Sequence, residues 1–211
     1  MTKHAALLGL AVFALAACKD PAQDKTKAET SEAKQAASAP APAEAVRLAI
    51  EPATSKIEWT GSKVTAKHDG AFTSFRGNVA LVANDATKSS VTVEIDTDSL
   101  TTTPEGLIKH LKSPDFFDVE KFPKASFAST SIAPGGDKGA THTVTGNLTF
   151  HGVTKSITFP AKIRTTASSA DVDAEFAINR KDFGLVYAGK ADDLIRDDVV
   201  IRLTIRSQPK S

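Results

Sequence analysis

The sequence predicts an all-β protein with a minor α component, built as an extended antiparallel barrel of eight to nine strands with a short helix over one end. Apolar and polar residues alternate with a period of two along most of the chain from residue 46 onward. No long helical pattern separates these runs, which indicates antiparallel hairpins. Several runs are long, and a closed barrel favours long strands because it hides their edges.

The composition excludes several classes of protein. The chain has 211 residues, of which 41% are hydrophobic and 24% charged, with one cysteine and a formal net charge of +1. A single cysteine cannot form an internal disulfide, and a nearly neutral chain is not a typical nucleic-acid binder. No internal apolar run approaches about 18 residues, which excludes a multi-span membrane protein.

The first residues have the pattern of an export signal. Lys3 precedes a short apolar run, and small residues lead to Cys18. The sequence Leu15-Ala16-Ala17-Cys18 resembles the lipobox of bacterial lipoproteins. The resemblance implies that residues 1–17 are removed, that Cys18 is acylated, and that the protein is lipid-anchored in the bacterial cell envelope with its domain in the periplasm. The choice between inner and outer membrane stays open.

Residues 18–45 are expected to form a disordered tether. From Lys19 to Ala45 the chain contains no Leu, Ile, Val, Phe, Met, Trp or Tyr. A segment with nothing to bury cannot offset the entropy lost on ordering. Fully extended, it would reach about 90 Å.

Residues 46–211 are expected to form one β domain. The runs interpreted as strands are, in order, 46–50, 55–64, 71–82, 91–95, 124–132, 142–150, 153–165, 172–178 and 197–206. A short helix interrupts them after Thr103, a suitable N-cap, with Pro104 at its first position. Leu107 and Leu111 share one face of this helix, and Ser113-Pro114 ends it.

Several segments of this domain resemble the YceI family. The segments are Ser55–Trp59, Phe72–Gly77, Leu107–Pro123, Phe127–Ser129, Thr145–Lys155 and Ile178–Gly184. Each motif alone is weak, but together they occur in the expected order over essentially all of 46–207. The resemblance implies a lipocalin-like barrel whose interior binds polyisoprenoid or other long amphiphilic lipids.

A hydrophobic binding site needs an apolar lining and a few polar groups that orient the ligand. Arg180 is the candidate head-group contact, since a guanidinium can clamp a phosphate or a carbonyl, and the alternative for it is a surface salt bridge. Gly146, on the apolar face of its strand, leaves room there, which is compatible with a cavity and equally with a tapered packed core. The candidate lining residues are Trp59, Phe72, Phe75, Leu107, Leu111, Phe116, Phe117, Phe127, Phe150, Phe176 and Phe183.

The sequence offers little for catalysis or metal binding. Histidines at 68, 110, 142 and 151 lack the convergent spacing of a zinc site. The acidic group at 192, 193, 197 and 198 lacks EF-hand spacing and is expected to be a solvated loop. No G-x-S-x-G motif is present. We therefore expect no catalytic residue, no metal and no cofactor other than a bound lipid.

The leading hypothesis is a non-enzymatic, membrane-tethered protein that sequesters or carries an isoprenoid or another long-chain lipid. The expected partners are that ligand and, through Cys18, the membrane, and no nucleic acid. One alternative is an envelope stress or interaction scaffold with a packed barrel. Another is an enzyme acting on an isoprenoid or haem-related substrate. The sequence leaves open the identity of the lipid and the oligomeric state.

Overall fold

The computed structural model of the chain describes residues 19–34 and 44–209. The predicted signal peptide and Cys18 lie outside the described residues. Within the described ranges no helix is both long and apolar enough to cross a membrane.

The described residues form fourteen strands and one α-helix. The strands that precede the helix are β1 (Glu29–Glu32), β2 (Val46–Ile50), β3 (Lys56–Ser62), β4 (Lys67–Phe72), β5 (Phe75–Val82), β6 (Asp85–Asp96) and β7 (Leu100–Thr102). The helix α1 spans Glu105–Lys112. The strands that follow are β8 (Lys124–Pro134), β9 (His142–Phe150), β10 (Val153–Thr166), β11 (Ser169–Asn179), β12 (Gly189–Lys190), β13 (Asp193–Leu194) and β14 (Asp198–Pro209).

Eight of these strands close into an antiparallel barrel in the order β2-β5-β6-β8-β9-β10-β11-β14. Closure occurs at β14, which pairs with β11 over most of its length and with β2 through Gln208 and Ala49. The predicted fold class is confirmed, because the eight long strands close on themselves and hide their edges.

A branch of the same sheet extends one end of the barrel. The first half of β14 pairs with β3, and β4 and β7 continue this sheet. The predicted single strand 71–82 is therefore two strands, which separate at Thr73 and Ser74 so that each half joins a different part of the sheet. We call this end, which carries α1 and the segment 185–195, the loop end.

The helix lies over the loop end, as expected. Leu111 is buried with Leu100 and Phe116, and Leu107 packs against the same cluster. The helix begins at Glu105, with Pro104 as the N-cap, one residue later than the sequence pattern indicated. The shift is small because Pro104 still occupies the start of the helix, where its missing N–H costs nothing.

The turn between β9 and β10 shows how local sequence sets register. His151 and Gly152 both have positive φ, +49° and +74°, as a two-residue type I′ hairpin requires. This turn aligns Phe150 with Val153, and the apolar faces of both strands then point to one side.

The prediction of disorder is wrong for residues 19–34, which lie against the barrel. β1 pairs antiparallel with β10 through Glu29 and Thr158, and the Ala28 N–H donates to the Ala177 carbonyl of β11 at 2.8 Å. β10 and β11 pair directly only over 162–166 and 169–173, so β1 and the residues before it fill the split between them. We call residues 19–34 the N-terminal arm.

Candidate ligand-binding cavity

The barrel encloses a cavity of ≈ 530 Å³. Its walls are the inward faces of the strands, where alternate residues such as Val199, Ile201 and Leu203 of β14 point inside. These three side chains are only half-buried although they face the interior, because the space in front of them is open. The volume lies within the usual range of small-molecule sites, about 300–1,000 Å³. An open interior disfavours the packed scaffold.

The structure brings ten of the twelve predicted site residues to the cavity wall. They are Trp59, Phe72, Leu107, Leu111, Phe116, Phe117, Phe127, Phe150, Phe176 and Arg180. They come from four parts of the fold: the barrel strands, the sheet extension at the loop end, α1 with the segment that follows it, and the 3-10 turn after β11. Their contact with a ligand stays a prediction.

Phe75 and Phe183 are placed away from the wall. Phe75 is buried in the cluster of Leu48 and Val79. Phe183 is 0% exposed and packs with its ring centroid 6.0 Å from that of Phe150. Both rings are therefore behind the lining, as ordinary core residues, and the sequence could not separate the two positions because both are inward and aromatic.

Arg180 lies at the cavity, but four hydrogen bonds within the protein already occupy most of its five N–H donors. Its Nε donates to the Arg196 carbonyl at 3.1 Å, and one terminal nitrogen donates to the Leu185 carbonyl at 2.5 Å. The other terminal nitrogen donates to the Ile195 carbonyl at 3.4 Å and to Asp197 at 3.3 Å. The side chain is a brace for the loop end, and this geometry leaves the guanidinium little capacity to clamp a head group.

Burial sets the electrostatics of this brace. Arg180 is 4% exposed, and desolvation lowers the pKa of its guanidinium while the Asp197 carboxylate opposes that shift. Lys181 also donates to Asp197, at 2.9 Å. The carbonyl cage around Arg180 compensates the cost of burying its charge.

Aromatic rings also line the cavity deeper inside the barrel. Phe159 of β10 and Phe176 of β11 stack with centroids 4.2 Å apart and an interplanar angle of 13°. They meet inside the barrel at the level where the arm separates the two strands. Phe117 joins the helix segment to the barrel through edge contacts with Phe72 at 6.0 Å and Phe150 at 5.1 Å.

Beside two glycines of the barrel strands and the sheet extension, an aromatic ring occupies the space that a side chain would fill. A Cβ on Gly146 would lie 2.3 Å from Cζ of Phe127 and 2.6 Å from the Ala128 carbonyl oxygen. Of the two alternatives for Gly146, the structure supports the packed core, because Phe127 occupies the space beside it. Gly70 plays the same part under Trp59, its cross-strand partner, whose ring atom Cζ2 would be 2.3 Å from an added Cβ.

The polar groups of the lining gather at the loop end, and the sequence did not single most of them out. The Nε1 of Trp59 is buried and has no hydrogen-bond partner among the described residues. His110 and Tyr187 line the same region, with ring centroids 5.2 Å apart, and the Nδ1 of His68 lies 3.1 Å from the Thr103 carbonyl oxygen. Tyr187, the only tyrosine of the chain, was the one available signal.

Three of the four acidic residues at 192, 193, 197 and 198 form ion pairs with basic side chains. Asp193 contacts Lys63, Asp197 contacts Arg180 and Lys181, and Asp198 contacts Lys27. Within residues 19–34 and 44–209, no three His, Cys, Asp or Glu side chains form a group that could hold a metal ion.

A closed antiparallel barrel with an apolar interior and a helix across one end defines the lipocalin-like class of β-barrels. Residues 48–207 match the family described as YceI-like domain. The chain belongs to this family, as the motifs of its sequence indicated. The N-terminal arm lies outside the matched region.

Relatives with this domain occur in several bacteria. The chain is 36% identical over 138 residues to a UPF0312 protein of Pseudomonas putida, which covers 63% of this chain and 71% of that protein. It is 37% identical over 122 residues to Protein YceI of Salmonella arizonae, covering 55% and 62% of the two chains.

Solved structures share the fold. Burkholderia cenocepacia BcnA superposes with a TM-score of 0.65 at 25% identity, covering 74% of this chain and 98% of that one. A polyisoprenoid binding domain from Saccharophagus degradans gives a TM-score of 0.61 at 17% identity, covering 79% and 99%.

Proposed function

We propose that this chain is a non-enzymatic, membrane-tethered periplasmic protein that binds an isoprenoid or another long-chain amphiphilic lipid in its barrel and sequesters or carries it. The observation that supports this most is the open apolar cavity of ≈ 530 Å³. Burial of a chain in such a space contributes about 0.8 kcal/mol per CH₂. The solved polyisoprenoid binding domain with the same fold is consistent with this ligand class.

The bound ligand is proposed to have its polar head at the loop end. The unpartnered Nε1–H of Trp59 is a buried donor, and a ligand oxygen would satisfy it. His110 and Tyr187 add polar atoms at the same end of the cavity. The tail would run along the rings of Phe176 and Phe159 toward the opposite end.

Native mass spectrometry of the purified domain tests this function. We expect a bound lipid mass on the native chain, or uptake when a polyprenyl alcohol or quinone is added. Leu203→Trp places a larger ring in the cavity and is expected to abolish the lipid-bound peak. Val46→Trp, on a side chain 40% exposed on β2, is the matched control. A native chain that stays empty in every mixture would contradict the proposal.

The tether is tested separately. Cys18→Ser removes the only thiol of the chain, so the sulfur cannot be acylated. Cell fractionation is expected to move a large part of the protein from the membrane to the soluble envelope fraction. Retention of the serine variant in the membrane fraction, at the level of the native protein, would contradict acylation at Cys18.

A further inference from the structure

Three large apolar side chains are exposed together at the loop end. Val64, Val186 and Leu194 are 40%, 67% and 49% exposed, and we call them the apolar rim. Among the described residues the other exposed large apolar side chain is Val46. Val46 pairs with Leu81 near the β5–β6 turn, at the far end of the barrel.

Backbone contacts hold the rim as one surface. The Val64 N–H donates to the Leu194 carbonyl at 3.2 Å. Arg180 donates to the carbonyls of Leu185 and Ile195, the neighbours of Val186 and Leu194. Lys63, Leu185, Tyr187 and Ile195 line the cavity, so residues that alternate with them in sequence form its outer edge. The rim therefore borders the cavity at the loop end.

The first residues of the N-terminal arm lie beside this rim. Asp20 lies 3.4 Å from Arg196, two residues after Leu194. Ala22 is 2% exposed and packs on Ala177 and Val200 of the barrel wall. Cys18 precedes Asp20 by two residues, which span at most about 7 Å of chain.

Polar contacts along the arm keep it in this position. Lys25 pairs with Glu175 at 2.6 Å, and Lys155 pairs with Glu32 at 2.5 Å. At its end the Lys34 N–H donates to Oδ1 of Asn147 at 3.0 Å, and Asn147 donates back to the Lys34 carbonyl at 2.6 Å. An arm fixed at both ends does not act as a long spacer between Cys18 and the barrel.

We infer that the apolar rim docks on a phospholipid bilayer, so that the loop end of the cavity rests against the membrane. The inference rests on the proposed function, in that acylated Cys18 would supply the anchor and a membrane lipid the cargo. Val and Leu side chains gain free energy when they leave water for the acyl boundary. An anchor at Cys18 would be only two residues from Asp20, so one bilayer surface would accommodate both the anchor and the rim. A lipid then enters the cavity without crossing bulk water.

Vesicle sedimentation tests docking without the anchor and without a ligand. The delipidated chain 18–211 carrying Cys18→Ser would be mixed with vesicles of phosphatidylethanolamine and phosphatidylglycerol. We expect Val186→Asp with Leu194→Asp to lower the partition coefficient at least tenfold, because charged side chains resist insertion. Val46→Asp, at the far end, is the matched control and should leave the partition unchanged. Equal partition of the rim variant and the control would overturn the inference.

Fluorescence quenching provides a second test that does not depend on the aspartate variants folding. Val186→Trp should be quenched by bromine atoms on the acyl chains of the same vesicles, whereas Val46→Trp should not. Absence of quenching at both positions, beyond the signal of native Trp59, would overturn docking. Native mass spectrometry of the same samples reports lipid occupancy separately. An empty barrel that still docks would therefore count against the proposed cargo and not against the rim.

Discussion

Arg180 was predicted to meet a ligand, and the structure gives it four hydrogen bonds within the protein. Replacing it with Gln leaves buried carbonyls of the loop end without donors. We expect Arg180→Gln to lower the free energy of unfolding by about 2–3 kcal/mol in urea titrations. Arg202→Gln, on a side chain 48% exposed, should cost less than about 1 kcal/mol. Unchanged stability with lost lipid binding would restore the head-group role.

Gly146 is required because a ring lies against it. We expect Gly146→Ala to destabilise the fold by about 1–3 kcal/mol, since its Cβ would overlap Phe127. Gly106 is the control, because nothing lies within 4 Å of an added Cβ there. Gly106→Ala in α1 should stabilise the protein by up to about 1 kcal/mol. Thermal unfolding of both variants measures the difference, and equal effects would contradict this role of Phe127.

At the scale of single residues, the sequence predicted which side chains lie in the apolar interior better than it predicted which of them face the cavity. The aromatic residues at 59, 72 and 117 could be assigned to an apolar interior from their strand and helix patterns. Whether a given ring faced the cavity or the core behind it depended on distances across the barrel. The role of Arg180 could not be assigned from the sequence either. Its hydrogen-bond partners lie in residues 185–197, and no alternating pattern predicts the conformation of that segment.

The N-terminal arm is the element whose behaviour the sequence concealed. The arm has almost no apolar residues. The sequence evidence for its docking lies instead in the barrel strands that it covers. Ala177 and Val200 are apolar at outward positions of β11 and β14, where alternation calls for polar residues. They are 0% and 2% exposed because Ala22 covers them. An outward apolar pair on two neighbouring strands was the available signal.

Docking of the arm should depend on pH through Glu175. Its hydrogen bond to Lys25, assisted by Arg202, holds the pKa of the Glu175 carboxyl below its ordinary value of 4.5 despite partial burial. A lowered folded-state pKa means that the ion pair stabilises docking above pH 4.5 and loses this contribution as the pH falls through the folded value. The amide NMR signal of Ala28, which bonds to Ala177, should therefore shift toward its undocked position below pH 4.5.

The variant Glu175→Gln removes the titrating group and keeps the side-chain size. Its Ala28 signal should lie closer to the undocked position at neutral pH and change less across the acidic range. A native chain whose arm signals stay constant down to pH 3, with the barrel still folded, would contradict the role assigned to this ion pair.

Elements fixed by local sequence were predicted most accurately. β9 begins and ends at His142 and Phe150, as alternation indicated, and the His151-Gly152 turn sets the pairing with β10. The separation of β4 from β5 was not predicted, although the apolar positions change parity between Phe72 and Phe75, which is where the two strands separate. Which partners the two strands take, β3 for β4 and β2 for β5, is a property of the sheet and not of the segment.

The whole barrel is expected to gain stability from its ligand. A lipid that binds only the folded chain stabilises it by about 2.7 kcal/mol at a free concentration of 100 Kd. Delipidation should therefore lower the melting temperature, and adding a polyprenyl alcohol or quinone should restore it. Leu203→Trp, with its cavity obstructed, should show neither change. Identical melting of the delipidated and lipid-treated native chain would contradict ligand binding in the interior.

The sequence by itself determined the class of fold, because a two-residue period with short turns leaves an antiparallel barrel as the way to bury one face and hide the edges. It also determined the family, through motifs spread over residues 46–207. Only the tertiary structure decided that the interior is open, that Arg180 braces a loop and that the arm lies in the split between β10 and β11. These depend on distances between segments far apart in the chain, and periodicity along one segment does not contain them.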